Sequence, residues 1–314
     1  MDTPIYTVGP TVIHDFEYDQ SYSRMIQLGM STETAKVLHS PLNRWIPPEE
    51  WFWTPDSFFK VRKEMTDEYL AEARKCTGGC FYDLSLESQC ELLGIKIELL
   101  LAGYTKDNSG SAKHWTAYQT EEKLTIEDLV LTNKIGESGW KGTNDEGKIY
   151  CFIHSSLMYY FRPIWQEKNG PAWSESAFHL GLRKEFISDL IEFTKTLFET
   201  TTKSHEFLLK MHKTLIKEGL IRGSDKFSIA AALEAFDGWI KMNFVEILKT
   251  SHIYGNALSG WPDLTLWNDS SLRFIEVKGT DKLHRNQAYW IRNIAKPLGY
   301  DYRVVKVVKK MRKR

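Results

Sequence analysis

The spacing of hydrophobic residues changes near residue 260, from a helical period to a strand period. Before that point, apolar residues recur every three or four positions in several segments, which predicts amphipathic helices. The predicted helices cover 66–75, 85–103, 176–199, 204–218 and 228–249, and a further one begins near Asn144. Residues 1–60, rich in proline and aromatic residues, predict an irregular segment instead.

After residue 260 the pattern predicts strands, then a helix, then a strand. Leu264–Trp267 and Arg273–Val277 predict two short strands, joined by a polar turn at 268–271. Apolar residues from 283 to 294 return to helical spacing, and Tyr302–Val308 predicts a third strand. This order predicts a mixed α/β domain behind a helical region.

The net charge of the chain is zero, but its charged residues are unevenly distributed along the sequence. The 314 residues contain 41 basic and 41 acidic side chains. The segment from Ser251 to Arg314 holds 13 basic and 5 acidic residues, so it carries a net charge of +8. Positive potential at this end favours a polyanionic partner.

Composition also indicates the compartment of the protein and the redox state of its cysteines. No run approaches 18 apolar residues, and the N-terminus lacks a signal-peptide pattern, so we expect an intracellular protein. Its four cysteines are then expected to be reduced thiols. Cys76 and Cys80 could form half of a zinc site, but a second pair at a similar short spacing is missing.

Three charged residues of the predicted hairpin indicate a candidate catalytic site. Twelve residues separate Asp263 from Glu276, and Lys278 follows Glu276 by two positions. Because side chains alternate along a strand, Glu276 and Lys278 project from one face. The hairpin connection lets Asp263 approach the same edge, so two carboxylates and one ammonium are expected to converge.

Such a group suits metal-assisted hydrolysis of a phosphodiester. Two carboxylates can hold Mg²⁺, which keeps several waters and accepts phosphate oxygens. A lysine beside the metal can orient the attacking water. The alternative is an ordinary edge hairpin in which Glu276 forms a surface salt bridge.

Longer motifs carry a resemblance to a known family. The segment from Gly260 to Trp267, followed by Phe274–Leu283 with Gln287 and Trp290, resembles the virus-type replication-repair nuclease (VRR-NUC) domain. This domain is a branch of the PD-(D/E)xK nuclease superfamily. The amino-acid sequence of these motifs is especially similar to that of the Fanconi-associated nuclease family, whose upstream signature is matched by Gly139–Gly142 and Asp145–Gly147. The resemblance covers about residues 135–308.

The resemblance implies a metal site that is more complete than the hairpin alone provides. It implies that Glu146 supplies a further carboxylate, and that the metal ligands are Glu146, Asp263, Glu276 and the backbone carbonyl of Val277. The metal is expected to be Mg²⁺ or Mn²⁺. An acidic residue in the first turn of a helix is also favourable in itself, so Glu146 keeps a structural alternative. Other candidates for this carboxylate are Glu234, Glu246 and Glu175.

Several residues could support the site. Gln287 could contact phosphate or Lys278, or it could cap the helix that it begins. Asp281 and Lys282 could bind the strand backbone or each other. Trp290 lies on the apolar stripe of its helix, which favours a core position over base stacking. Candidate phosphate contacts are Lys141, Arg285 and Arg292, and the basic tail Lys309–Arg314 could bind DNA or serve as a localisation signal.

The resemblance predicts a divalent-metal-dependent DNA nuclease. It implies 5′-flap endonuclease and 5′-to-3′ exonuclease activity in repair, including interstrand crosslinks, with branched DNA as the partner. The expected location is with DNA, in the nucleus of a eukaryote or the cytoplasm or nucleoid of a bacterium. Two alternatives remain: a junction resolvase or restriction-like enzyme on the same fold, and a non-catalytic DNA-binding module.

The predicted fold class is α/β, with a predominantly helical N-terminal region followed by a PD-(D/E)xK mixed-sheet nuclease domain. We expect a helical or irregular region over 1–130. The nuclease domain is expected over 131–314, with a helical insertion at about 165–225 and a basic tail at 309–314.

Overall fold

The structure is a computed structural model. It describes residues 5–8, 11–14, 26–27, 29–38, 71–72, 75, 84–106, 113–116, 123–136, 139–171, 184–221, 228–254 and 260–309. Four predicted features lie wholly or largely outside these ranges: the helix over 66–75, the Cys76–Cys80 pair, Glu175, and the tail beyond Lys309.

The described strands form two sheets. In chain order they are β1 Ile5–Val8, β2 Thr11–His14, β3 Lys96–Lys106, β4 Lys113–Thr116, β5 Lys141–Thr143, β6 Leu264–Trp267, β7 Leu272–Lys278 and β8 Asp301–Lys309. β1 and β2 pair with each other. The other six form a mixed sheet in the order β4-β3-β8-β7-β6-β5, in which β8 runs parallel to both β3 and β7.

The described helices are α1 Thr32–Leu38, α2 Leu86–Leu93, α3 Ile126–Ile135, α4 Lys148–Asn169, α5 Lys184–Phe198, α6 Thr201–Lys217, α7 Ile229–Ala235, α8 Lys241–Tyr254 and α9 Arg285–Trp290. A π-helical turn, Phe236–Ile240, joins α7 to α8, and another, Ile291–Ala295, follows α9. These confirm the helices predicted within 176–199, 204–218 and 228–249. None of the helices in the described ranges is long and apolar enough to cross a membrane.

The predicted β-β-α-β order after residue 260 is confirmed. β6 and β7 pair antiparallel, and α9 with its π-helical turn carries the chain to β8, which lies parallel to β7. The predicted turn closes through a hydrogen bond from the Asn268 N–H to the Ser271 carbonyl, 3.0 Å. The Asn268 side chain also accepts from the Ser270 N–H at 3.0 Å, a local bond typical of asparagine in turns.

The helix predicted over 85–103 is right only for its first half. Gly94 takes a left-handed conformation with φ of 60°, and its N–H donates to the Glu91 carbonyl. The Ile95 N–H then donates to the Cys90 carbonyl, and this pair of bonds ends the helix at Leu93. The chain continues as β3, because its backbone pairs with both β8 and β4.

The six-stranded sheet separates two apolar layers. On one face, Phe274, Tyr302 and Val304 belong to a large core shared with α4 to α9. On the other, Ile275 and Val277 pack in a smaller core beneath α3. This confirms the predicted alternation, since Ile275 and Val277 turn away from the face that carries Glu276. Two strands of this sheet, β3 and β4, precede residue 130, and the other four follow it. The sheet therefore contains strands from both sides of the predicted domain boundary, which stays a prediction.

Gly238 allows the π-helical turn before α8 to approach the sheet closely. A Cβ atom at this position would lie 2.1 Å from Nε1 of the buried Trp267. We predict that Gly238→Ala lowers the free energy of unfolding by about 1–3 kcal/mol, because the rigid indole must shift. Chemical denaturation measures this. Gly136→Ala is the control, because its Cβ would make only ordinary contacts, and an equal loss there would contradict the prediction.

Candidate active site

The hairpin brings Asp263 to Glu276 through its register. Leu264 pairs with Ile275, so the next position outward places Asp263 opposite Glu276. The carboxylate of Asp263 accepts a hydrogen bond from the Val277 N–H, 2.8 Å from Oδ2. This bond closes the open end of the hairpin and holds the Asp263 side chain beside β7.

Lys278 and Gln287 complete a buried polar cluster around Glu276. Glu276 is 0% exposed and Lys278 is 5% exposed. Nζ of Lys278 lies 2.9 Å from Oε1 of Glu276 and donates to Oε1 of Gln287 at 3.0 Å. The amide nitrogen of Gln287 donates to Oε1 of Glu276. Since the Gln287 oxygen also accepts from the His284 N–H at 2.8 Å, Gln287 binds both charged residues and the start of its own helix.

Burial and repulsion raise the pKa values of the two carboxylates. Loss of hydration raises the pKa of Glu276 well above its ordinary value, and the neighbouring Asp263 raises it further. The pKa of Asp263 is also raised, mainly by burial, although the Val277 N–H and Lys278 oppose that change. Without a cation, the pair therefore holds a proton more readily than two separate carboxylates would.

Glu127 is a charged neighbour of this cluster that the sequence did not indicate. It lies in the first turn of α3, and its charge contributes to the raised pKa of Asp263. The preceding Ile126 approaches the chain just after Lys278: a Cβ on Gly279 would be 3.6 Å from its Cδ1. An acidic residue in a first helical turn is common for electrostatic reasons, so its sequence position gave no signal.

Glu146 lies on a tight loop that packs against the start of the hairpin. It is exposed and has a positive φ of 50°, the one such non-glycine residue among those described. The following Gly147 has a φ of 74°, and a Cβ there would lie 2.3 Å from the ring of Trp261. The loop is therefore fixed beside a residue two positions before Asp263, and the metal-binding role of Glu146 stays a proposal.

Neighbouring side chains hold this loop in place. Buried Asp145 accepts hydrogen bonds from the Thr143 hydroxyl at 2.6 Å and the Ile149 N–H at 2.8 Å. The side-chain amide of Asn144 donates to Asp128 of α3 at 2.8 Å. Through Asp145 and Asn144, the loop is tied both to α4 and to the helix that carries Glu127.

The alternative upstream carboxylates have other partners. Glu234 forms an ion pair with Lys141 at 3.0 Å, and Glu246 pairs with Lys249 at 2.7 Å. Both pairs are partly exposed, so each contributes little stability. The pair with Glu234 also engages Lys141, a candidate phosphate contact.

The remaining predicted residues lie around the cluster. Asp281 and Lys282 are exposed on the segment after β7. Trp290 is fully buried, with its ring 5.0 Å from Phe274, which confirms the predicted core position. Arg292 is half-buried, whereas the side chain of Arg285 lies outside the described set.

The donor atoms of the cluster suit a hard divalent cation. Two carboxylates face each other, and their repulsion is a cost that a cation between them would remove. Among the described residues, no three acidic, histidine or cysteine side chains are grouped to hold a metal ion. Mg²⁺ commonly binds through one or two carboxylates and completes its shell with water and phosphate, so the residues present fit.

Comparison with protein families gives a match over the segment that contains this cluster. Residues 240–309 match the model of the VRR-NUC domain. The match includes Asp263, Glu276, Lys278 and Gln287. The mixed sheet is consistent with the PD-(D/E)xK-like fold that the sequence predicted.

Two solved structures are similar to the chain over most of its length. They are crystal structures of paFAN1 bound to 5′-flap DNA with a gap, one with a 2-nucleotide and one with a 1-nucleotide flap. Both are 14% identical, with TM-scores of 0.47 and 0.45, and they cover 95% and 94% of this chain. The chain spans only 53% and 52% of theirs. Curated proteins give no significant match.

The raised pKa of Glu276 predicts a pH-dependent cost in stability. Because its folded-state pKa exceeds the unfolded value, its contribution is favourable at low pH and is lost as the pH rises through the folded pKa. Glu276→Gln should therefore raise the melting temperature in EDTA more at pH 8 than at pH 5. We expect the difference to be about 2–4 °C, equivalent to roughly 1 kcal/mol.

Thermal unfolding at the two pH values tests this expectation. Glu192→Gln is the matched control, because its side chain is 71% exposed. The control should show no comparable pH difference. A Glu276→Gln variant that is equally stabilised at both pH values, or destabilised at pH 8, would contradict a raised pKa of Glu276.

Proposed function

We propose that this protein is a divalent-metal-dependent nuclease that cleaves phosphodiester bonds of DNA. The observation that carries the proposal is the cluster of half-buried Asp263 with buried Glu276 and Lys278 at the open end of the β6–β7 hairpin, within the VRR-NUC match. A binding module would gain nothing from two carboxylates near phosphate, because they repel it. A cation-assisted reaction requires them.

Each residue of the cluster then has a role. Asp263 and Glu276 hold Mg²⁺ or Mn²⁺, with the Val277 carbonyl and Glu146 as the further proposed ligands. A bound cation would supply Lewis acidity at this site, which favours activation of water and offsets charge on the scissile phosphate. Lys278 would orient the attacking water and help to deprotonate it, while Gln287 holds Lys278 and Glu276 at their observed spacing.

The preferred DNA structure is the finer part of the proposal. Resemblance of the motifs to the Fanconi-associated nuclease family supports 5′-flap cleavage and 5′-to-3′ exonuclease action, in repair that includes interstrand crosslinks. The net charge of +8 after residue 250 supports DNA as the partner. Asp281, Lys282 and the tail 309–314 remain proposed supporting contacts.

A panel of DNA substrates tests this specificity. We expect the purified chain, with Mg²⁺ or Mn²⁺, to cut 5′-flap DNA faster than 3′-flap, four-way junction or plain duplex DNA. Products that shorten from the 5′ end would support the exonuclease proposal. Preferential cutting of the junction or the duplex would favour the resolvase or restriction-like alternative, and metal-independent binding without cleavage would favour the non-catalytic one.

Removal of the Asp263 carboxylate separates cleavage from binding. Asp263→Ala should lower the cleavage rate by at least about 10³-fold, because the cation loses a ligand, while DNA affinity stays equal or rises. Rates and electrophoretic binding assays measure the two effects. Asp269→Ala on the exposed turn is the control and should cleave normally. Normal turnover of Asp263→Ala would exclude the metal assignment.

The upstream carboxylate can be identified by comparing three amide variants. We expect Glu146→Gln to reduce the cleavage rate by about 10²-fold or more, because the metal shell is incomplete without it. Glu234→Gln and Glu127→Gln should each have smaller effects. If the largest loss follows Glu234→Gln or Glu127→Gln instead, the ligand comes from α7 or α3 and Glu146 is a structural residue of its loop.

A further inference from the structure

We propose that Tyr302 is a positioning residue for the metal ligand Glu276, acting through a hydrogen bond from its phenol to the carboxylate. This inference rests on the proposed metal-dependent function. The Tyr302 hydroxyl donates to Oε2 of Glu276 at 3.4 Å. Tyr302 lies on β8, outside both the hairpin motifs and the helix that follows them.

The sheet register places Tyr302 on the same face as the cluster. Phe274 pairs with Tyr302 and Glu276 pairs with Val304 in the parallel β7–β8 ladder. Because side chains alternate along each strand, Tyr302 and Glu276 project into one layer as diagonal neighbours. The parallel crossover through α9 is therefore what brings the phenol to the carboxylate.

Packing fixes the tyrosine ring. Tyr302 is 5% exposed and belongs to the main core, with its ring centroid 5.8 Å from that of Trp290. Trp290 itself is fully buried. A ring held in this way has little freedom to turn its hydroxyl elsewhere, so the donor remains directed at Glu276.

The two oxygens of Glu276 have different partners. Lys278 and Gln287 approach Oε1, and Tyr302 approaches Oε2. The terminal torsion of a glutamate is intrinsically broad, so a carboxylate held on one oxygen alone could still rotate. Tyr302 supplies the second point that fixes the plane of the carboxylate beside Asp263.

Orientation of this kind should appear in metal affinity. Partners that hydrogen-bond to a ligating side chain commonly change metal affinity or activity by about 10–100-fold when they are removed. Tyr302→Phe removes the hydroxyl and keeps the packed ring. We expect it to weaken Mn²⁺ binding about tenfold, while cleavage at saturating Mn²⁺ stays within a few-fold of the unmodified protein.

The full chain and two variants provide the test. Free Mn²⁺ is titrated by electron paramagnetic resonance, thermal unfolding is followed in EDTA, and cleavage of 5′-flap DNA is measured against Mn²⁺ concentration. Tyr300→Phe is the matched control, because its hydroxyl donates to Asn243 at 3.1 Å rather than to the cluster. It should leave Mn²⁺ affinity unchanged. Unfolding in EDTA confirms that both variants are folded.

Each outcome has a distinct meaning. Weaker Mn²⁺ binding in Tyr302→Phe alone supports the positioning role. Unchanged Mn²⁺ affinity in Tyr302→Phe, or an equal loss in both variants, overturns it while the proposed function stands. Loss of folding in Tyr302→Phe also overturns it, because the hydroxyl then serves the core rather than the ligand. If the unmodified protein binds no Mn²⁺, the proposed function and this inference fail together.

Discussion

The repulsion between Asp263 and Glu276 is the interaction on which the candidate site depends. A buried carboxylate and a half-buried one in such a small space cost free energy unless a proton or a cation lies between them. The fold forces them together because Asp263 is anchored to the Val277 N–H and Glu276 is enclosed by β8 and α9. If the proposed function is right, the stability lost at this point favours the binding of a divalent cation.

The surrounding polar groups make this arrangement tolerable. Lys278 places a positive charge in direct contact with Glu276, and Gln287 bridges the two through its amide oxygen and nitrogen. A network of this kind is stable only when its members are satisfied, because the buried environment strengthens both good and missing interactions. The same network orients the groups for the proposed reaction, so structural and functional requirements coincide here.

Sequence periodicity predicted the hairpin, its turn, the following helix and the last strand correctly, since the turn and strand signals were local. It failed at 94–103 because a leucine-rich segment fits a helix or a strand, and pairing with β8 and β4 selected the strand. The contact between Gln287 and Lys278 was one of several alternatives for Gln287, and the fold showed that capping and contact with the cluster occur together.

The sequence by itself determined the chemistry available: two carboxylates and a lysine at hairpin spacing, with alternate faces for their apolar neighbours. Those properties follow from strand geometry, which is set by neighbouring residues. Only the tertiary structure decided which distant groups surround Glu276 and Asp263. Tyr302 arrives through a parallel crossover and Glu127 through a helix on the opposite face of the sheet. Contacts between segments far apart in sequence leave no periodic signal, so no local pattern could have revealed them.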